Sequence, residues 1–251
     1  IPLAAVVKAN GYGLGAVKIS QALTAAGCKV FFVAHLDEGI TLRSALPNAE
    51  IHILNGLLPN ALEIYREYTL VPVLCSLGDI EVWKGFNTRA SLPCNIHVDT
   101  GMLRLGLPPA ELSVLQTERD RLLGLNVRFI MSHLASSEDM NSNQNPMQLE
   151  AFKHVRKILP MGKACLANSS GIFLSPRYHF DMARPGVALY GANPTPDKPN
   201  PMTPTITLRA RITQVRDAEP GDTVGYNATH RVKDKARIAT VPVGYADGFI
   251  R

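Results

Sequence analysis

Short apolar runs alternate with longer amphipathic stretches until about residue 190. The continuous apolar run 3–7 predicts a buried strand. A glycine-rich stretch, 11–15, then leads into a helix over 16–26 that Gly27 stops. The alternation continues with strands over 30–33, 51–54, 71–74, 95–98, 127–131, 164–166 and 180–182, and helices over 37–46, 59–65, 77–86, 108–123 and 146–159. In the last helix Leu149, Phe152, Val155 and Leu159 share one face, and Pro146 suits the first turn. Strands and helices in this order and length predict an α/β fold, a closed (β/α)8 TIM barrel. An open doubly wound sheet is the rival. It would want a G-x-G-x-x-G turn after the first strand, and Gly11-Tyr12-Gly13-Leu14-Gly15 has the wrong spacing.

After Gly191 the texture changes. Pro194, Pro196, Pro199, Pro201 and Pro204 crowd into one short stretch, which reads as a linker over 194–205. Beyond it come alternating runs over 206–212, 213–215 and 236–243, with a turn at Glu219-Pro220-Gly221-Asp222. The expected organisation is a barrel over 1–193, the linker, and a partial β-rich second domain over 206–251. The opening Ile1-Pro2-Leu3 reads as the inside of a strand, so a natural start is expected upstream.

Composition narrows the classes. The net charge is +5, from 26 Lys+Arg against 21 Asp+Glu, and the basic residues are scattered, which argues against a nucleic-acid partner. No apolar run approaches the roughly 18 residues of a membrane span, so no membrane partner is expected. Cys28, Cys75, Cys94 and Cys165 form no CxxC pair. They give no metal signal and fit reduced thiols in a cytoplasmic protein.

Barrels of this type place their chemistry at the C-terminal ends of the strands. Lys8 ends the first predicted strand, Arg104 lies past the fifth, His133 past the sixth, Asn168 and Ser169 past the seventh, and Arg184 and Gly186 past the eighth. A lysine abutting a buried strand loses hydration, which lowers its pKa and favours the neutral amine that Schiff-base chemistry needs. Read alone, Lys8 is more often a rim lysine reaching for solvent. The Ser and Gly residues of the last two loops suit phosphate, as loops in that position often do, or plain turns.

Several blocks occur together and in order: Lys8-Ala9-Asn10-Gly11-Tyr12-Gly13, Val98-Asp99-Thr100-Gly101-Met102-Leu103-Arg104-Leu105-Gly106, Ser132-His133, Ala167-Asn168-Ser169, Arg184-Pro185-Gly186-Val187, Val224-Gly225-Tyr226-Asn227 and Gly244-Tyr245-Ala246-Asp247-Gly248. The set resembles the alanine racemases, enzymes dependent on pyridoxal 5'-phosphate (PLP). The resemblance implies that Lys8 carries the cofactor and acts as one base, while Tyr226, reaching in from the partner of a homodimer, acts as the other. It further implies that Tyr12, Ser169, Gly186 and Val187 hold the phosphate and that Arg184 faces the pyridine nitrogen. Arg104, His133 and Asn168 complete the cofactor site, with His133 touching Arg184. Arg104, Met102 and Tyr245 would contact the substrate, alanine, and no metal is implied. Members often carry a lysine, carbamylated in some, two positions before Asp-Thr-Gly; here that residue is His97. They also run about 100 residues or more beyond the last block, the size of a second domain. Two rivals remain: a racemase of broader specificity, and a PLP-binding protein without turnover. Residues after Asn193, with Tyr226 among them, count against the second. The metabolic role, D-alanine for peptidoglycan or D-alanine breakdown, stays open.

Overall fold

A computed structural model of the chain describes residues 1–87 and 91–249. The chain divides into two compact units, Ile1–Thr205 and Ile206–Arg251.

In the first unit seven strands form one parallel sheet in sequence order: β1 (Ala5–Val6), β2 (Val30–Val33), β3 (Glu50–Ile53), β4 (Leu70–Leu74), β5 (Pro93–His97), β6 (Asn126–Met131) and β7 (Lys163–Cys165). The sheet closes on itself through a two-residue stave. Met182 bridges Cys165 of β7, and Ala183 bridges Leu3 just ahead of β1, both in parallel. The Ala4 amide donates to the Ala183 carbonyl (2.9 Å) and the Val6 amide to the Pro185 carbonyl (3.0 Å). The eighth stave thus sits slightly later than the predicted 180–182, because Phe180 adopts a left-handed backbone (φ 50°) and turns its ring onto Phe152.

Helices follow the strands: α1 (Lys8–Tyr12), α2 (Ala16–Ala25), α3 (Leu36–Ala45), α4 (Leu62–Glu67), α5 (Leu77–Phe86), α6 (Pro109–Thr117), α7 (Gln144–Ile158) and α8 (Gly171–Leu174). The predicted helix 108–123 splits, since α6 ends at Thr117 and a 3-10 turn covers Arg119–Leu122. Strands β2 and β4 read as unbroken apolar runs because both faces are buried. In β1 and its flanks Ala5 and Val7 face the helices, while Ala4 and Val6 face the barrel interior with Phe32, Val73, Phe129, Met131, Cys165 and Met182. Buried polar groups lie there too, His52 and Asn95 among them. His52 is fully buried, stacked on Phe32 (4.4 Å), with its Nδ1 2.7 Å from the Asn95 amide nitrogen and its Nε2 3.0 Å from Glu50. Two arginines lock helix ends to the next strand. Arg43 donates to the carbonyls of Leu46, Pro47, Ala49, Tyr68 and Thr69, and Arg156 to those of Leu159, Pro160, Met161 and Gly162.

The second unit is β-rich. Strand β8 (Gln214–Ala218) pairs antiparallel with β11 (Ala236–Thr240), and β9 (Thr223–Val224) with β10 (His230–Arg231). Residues 206–212, predicted as a strand, carry no regular structure here. Alternation of side chains makes a strand only where a neighbour supplies the ladder, and none of the described strands pairs with this run.

Candidate active site

A cavity of about 320 Å³ opens at the C-terminal ends of the barrel strands. Lys8 enters it directly from β1, and Tyr12 from the turn that follows. Arg104 and His133 come from the loops after β5 and β6, and Asn168 and Ser169 from the loop after β7. Arg184, Gly186 and Val187 follow the closing stave. The lining also takes in Leu54, Asn55, His97 and Glu138, which had no place in the motif blocks. Met102 is not among the lining residues; Tyr226 and Tyr245 belong to the second unit, where they are 86% and 75% exposed.

The local backbone explains how Lys8 is aimed. From Ala9 to Gly13 every φ is positive, and the Gly11 and Gly13 amides donate to the carbonyls of Val7 and Ala9, each at 2.9 Å. This is one turn of left-handed helix. Ala9, Asn10 and Tyr12 carry side chains, so the turn costs roughly 1–2 kcal/mol at each of them, least at Asn. At Gly11 space is tight as well, since a Cβ would lie 3.0 Å from the Ala16 nitrogen.

Charge and burial set the protonation states. Lys8 is half-buried and its pKa is lowered, first by loss of hydration and then by Arg104, with Glu38 opposing. Burial, then Arg184 and other nearby cations, pushes His97 and His133 down to about 3, so both imidazoles are neutral near pH 7. The Arg184 guanidinium is buried and stays charged. It donates to the Cys165 carbonyl (3.0 Å), the Cys165 Sγ (2.8 Å) and the Ser132 carbonyl (2.6 Å), and lies over the Phe32 ring. The expected touch between His133 and Arg184 is not a hydrogen bond; among the described residues Cys165 and Ser132 take that part, because β6 and β7 bring their acceptors beneath the guanidinium.

Two further devices hold the rim. Asp99 accepts the amides of Gly101 (2.8 Å), Met102 (2.9 Å) and Leu103 (3.0 Å), which fixes the loop carrying Arg104. Gln148, fully buried on α7, joins that loop to the next by donating to Thr100 Oγ1 and the His133 carbonyl while accepting the Ala135 amide. A polar residue beside Leu149 on the apolar face of α7 is the sign by which it could have been found.

At the far side of the cavity Ser169 Oγ accepts the amides of Gly186 (2.9 Å) and Ala188 (3.2 Å). A Cβ at Gly186 would collide with the Tyr12 hydroxyl. Tyr12 packs on Tyr190 at 4.8 Å, and the Tyr190 hydroxyl donates to the Val6 carbonyl. Hydroxyls and backbone amides converging on a glycine make a cradle for an anionic oxygen group.

The alanine racemase N-terminal domain model matches residues 2–194, and the alanine racemase C-terminal domain model matches 205–251. The chain belongs to the alanine racemase family. Among curated alanine racemases, a catabolic one from Mesorhizobium japonicum is 45% identical over 99% of this chain, and one from Rickettsia bellii is 48% identical over 98%. The chain spans 66% and 61% of those relatives' lengths. The alanine racemase of Bartonella henselae, solved with covalently bound pyridoxal phosphate, superposes with a TM-score of 0.91 at 41% identity, over 100% of this chain and 70% of that one. Seen within the alanine racemase family, the cavity, the basic residues Lys8 and Arg184 and the Gly186 cradle form one constellation at the barrel mouth.

Proposed function

We propose that the protein is a PLP-dependent racemase that interconverts L- and D-alanine by two-base proton transfer at Cα. The observation that carries this reading is Lys8, half-buried with a lowered pKa, in one cavity with Arg184 and the Gly186 cradle. The residues fit the cofactor, since the hydroxyls of Tyr12 and Ser169 and the backbone at Gly186 gather in the same cavity as Lys8 and Arg184. Bound PLP would supply an electron sink that acidifies the Cα–H bond.

The chain's own groups do the rest. Lys8 would carry the cofactor and move a proton at one face of Cα. Tyr12, Ser169, Gly186 and Val187 would hold the phosphate, and Arg184 would face the pyridine nitrogen. A guanidinium neither accepts nor hands over a proton there. Arg104, His133 and Asn168 would complete the pocket, and Arg104, Met102 and Tyr245 would shape the place of the substrate. His97 cannot form the carbamate that a lysine forms at that position in some relatives; its buried ring is neutral near pH 7. Tyr226, from the partner of a homodimer, would serve the opposite face. A phenol with an ordinary pKa near 10 works as a base only beside positive charge. In this reading the barrel domain runs over 1–193, residues 194–205 link it to a β-rich second domain that begins at 206, and the protein works in the cytoplasm.

Deuterium exchange at Cα of each alanine enantiomer tests the scheme in the complete protein. Tyr226→Phe should slow exchange from one enantiomer by about tenfold or more relative to the other. Equal loss from both would contradict two bases on opposite faces.

A further inference from the structure

One half-buried carboxylate, not among the residues assigned above, grips the left-handed turn behind Lys8. Glu38 stands in the first turn of α3. Its Oε1 accepts the Asn10 amide (3.3 Å), while its Oε2 accepts the amides of Ala34 (2.8 Å) and His35 (3.1 Å). The loops after β1 and β2 are thereby joined through a single side chain. The turn is also tied forward, because the Asn10 side-chain oxygen accepts the Ala16 amide at 3.0 Å.

We propose that Glu38 is a positioning residue for Lys8: it holds the left-handed turn in place and sets an anion against the cations of the cavity, so that the lysine meets the cofactor in a fixed direction and charge state. The inference rests on the reading that Lys8 carries PLP. Capping α3 alone would need only the amides of Ala34 and His35; the bond to Asn10 reaches across to another loop. The charged and titratable groups around Lys8 are Arg104, Arg184, His97, His133, Tyr12 and Glu138 in the cavity, and Glu38 behind it. Arg104 and burial favour the neutral amine, and Glu38 opposes them. Loss of its charge therefore lowers the pH at which Lys8 becomes reactive.

A comparison residue exists in the same barrel. Asp79, in the first turn of α5, accepts the Cys75 amide at 2.7 Å in a similar way but, among the described residues, makes no hydrogen bond to the Lys8 turn. The test uses the complete protein, stripped of PLP and titrated with it. Absorbance gives the dissociation constant. Borohydride trapping of pyridoxyl-Lys8 across pH, located by peptide mass, gives the midpoint of amine reactivity. Glu38→Ala should weaken PLP binding about tenfold. Glu38→Gln, which keeps one acceptor oxygen but loses the charge and one of the two sets of bonds, should lower the trapping midpoint by about half a pH unit. Asp79→Ala should leave both values unchanged. Unchanged affinity and midpoint in both Glu38 variants overturn the inference, as does an equal shift from Asp79→Ala. If the unsubstituted protein traps no cofactor on Lys8, the cofactor reading itself falls, and this inference with it.

Discussion

In Ile1–Thr205 two apolar clusters, one inside the barrel and one beneath its helices, bury dozens of side chains; in Ile206–Arg251 only Ala218 and Val232 are buried hydrophobics among the described residues. The difference shows in how candidate residues are held. Arg184 is buried with three acceptors and an aromatic face, and Lys8 stands on a turn clamped from two directions. Tyr226 and Tyr245 stand on short 3-10 turns, Tyr226–Ala228 and Tyr245–Asp247, without side-chain hydrogen bonds of their own among the described residues. Within this chain, preorganisation is a property of the first unit, where packing fixes rotamers before any ligand arrives.

Three measurements can break or sharpen that contrast. The largest effect belongs to Phe152→Ala, which removes a fully buried ring packed edge-on against Phe180. It should cost the first unit about 3–5 kcal/mol. Trp83, the single tryptophan, is fully buried in that unit, so its fluorescence in urea follows this transition. Val232→Ala should leave the Trp83 transition where it was; a comparable shift would erase the distinction. Next comes Arg43→Lys. An ammonium cannot reach five carbonyls in the fork geometry of a guanidinium, so a loss of about 2 kcal/mol is expected in the same titration. No measurable change would mean that the loops are held by packing alone.

The third measurement is a pH slope, read per pH unit and not as a single shift. His97 and His133 have folded pKa values of about 3 against 6.5 in a free side chain. Below pH 6.5 the unfolded chain therefore binds more protons than the folded one, and stability falls as pH falls. The loss should begin near pH 6.5, continue toward pH 3, and approach about 1 kcal/mol per pH unit for each histidine. His97→Asn should make the slope shallower. A slope unaffected by that substitution would show that other groups govern the acid limit.

Much of the barrel was legible because strands such as β2 and β4 are unbroken apolar runs between amphipathic stretches, and burial on both faces requires that pattern. The gathering of Lys8, His133, Ser169 and Arg184 round one cavity could be read from strand ends alone. Other features could not. Nothing in Ala9 or Tyr12 announces a positive φ; tertiary bonds impose it. Cys165 looked like one more apolar strand residue, and only the closing of the barrel brings its sulfur to Arg184. Glu38 sits where any capping carboxylate would, and its bond to Asn10 depends on the neighbouring loop. Residues 206–212 alternate like a strand yet lack a ladder, because alternation records which faces differ and says nothing about who lies alongside.

The short closing stave has a bearing on how the molecule matures. The seam between Leu3 and Ala183 is reinforced by Tyr190 reaching Val6, groups 184 positions apart in the chain, which makes it among the most entropically expensive junctions to form. Lys8 lies on one lip of that seam and Gly186 on the other. A small molecule gripping both would act as a staple, giving its binding energy to the last step of ring closure, so a nascent chain would gain its ligand and its final shape in the same event.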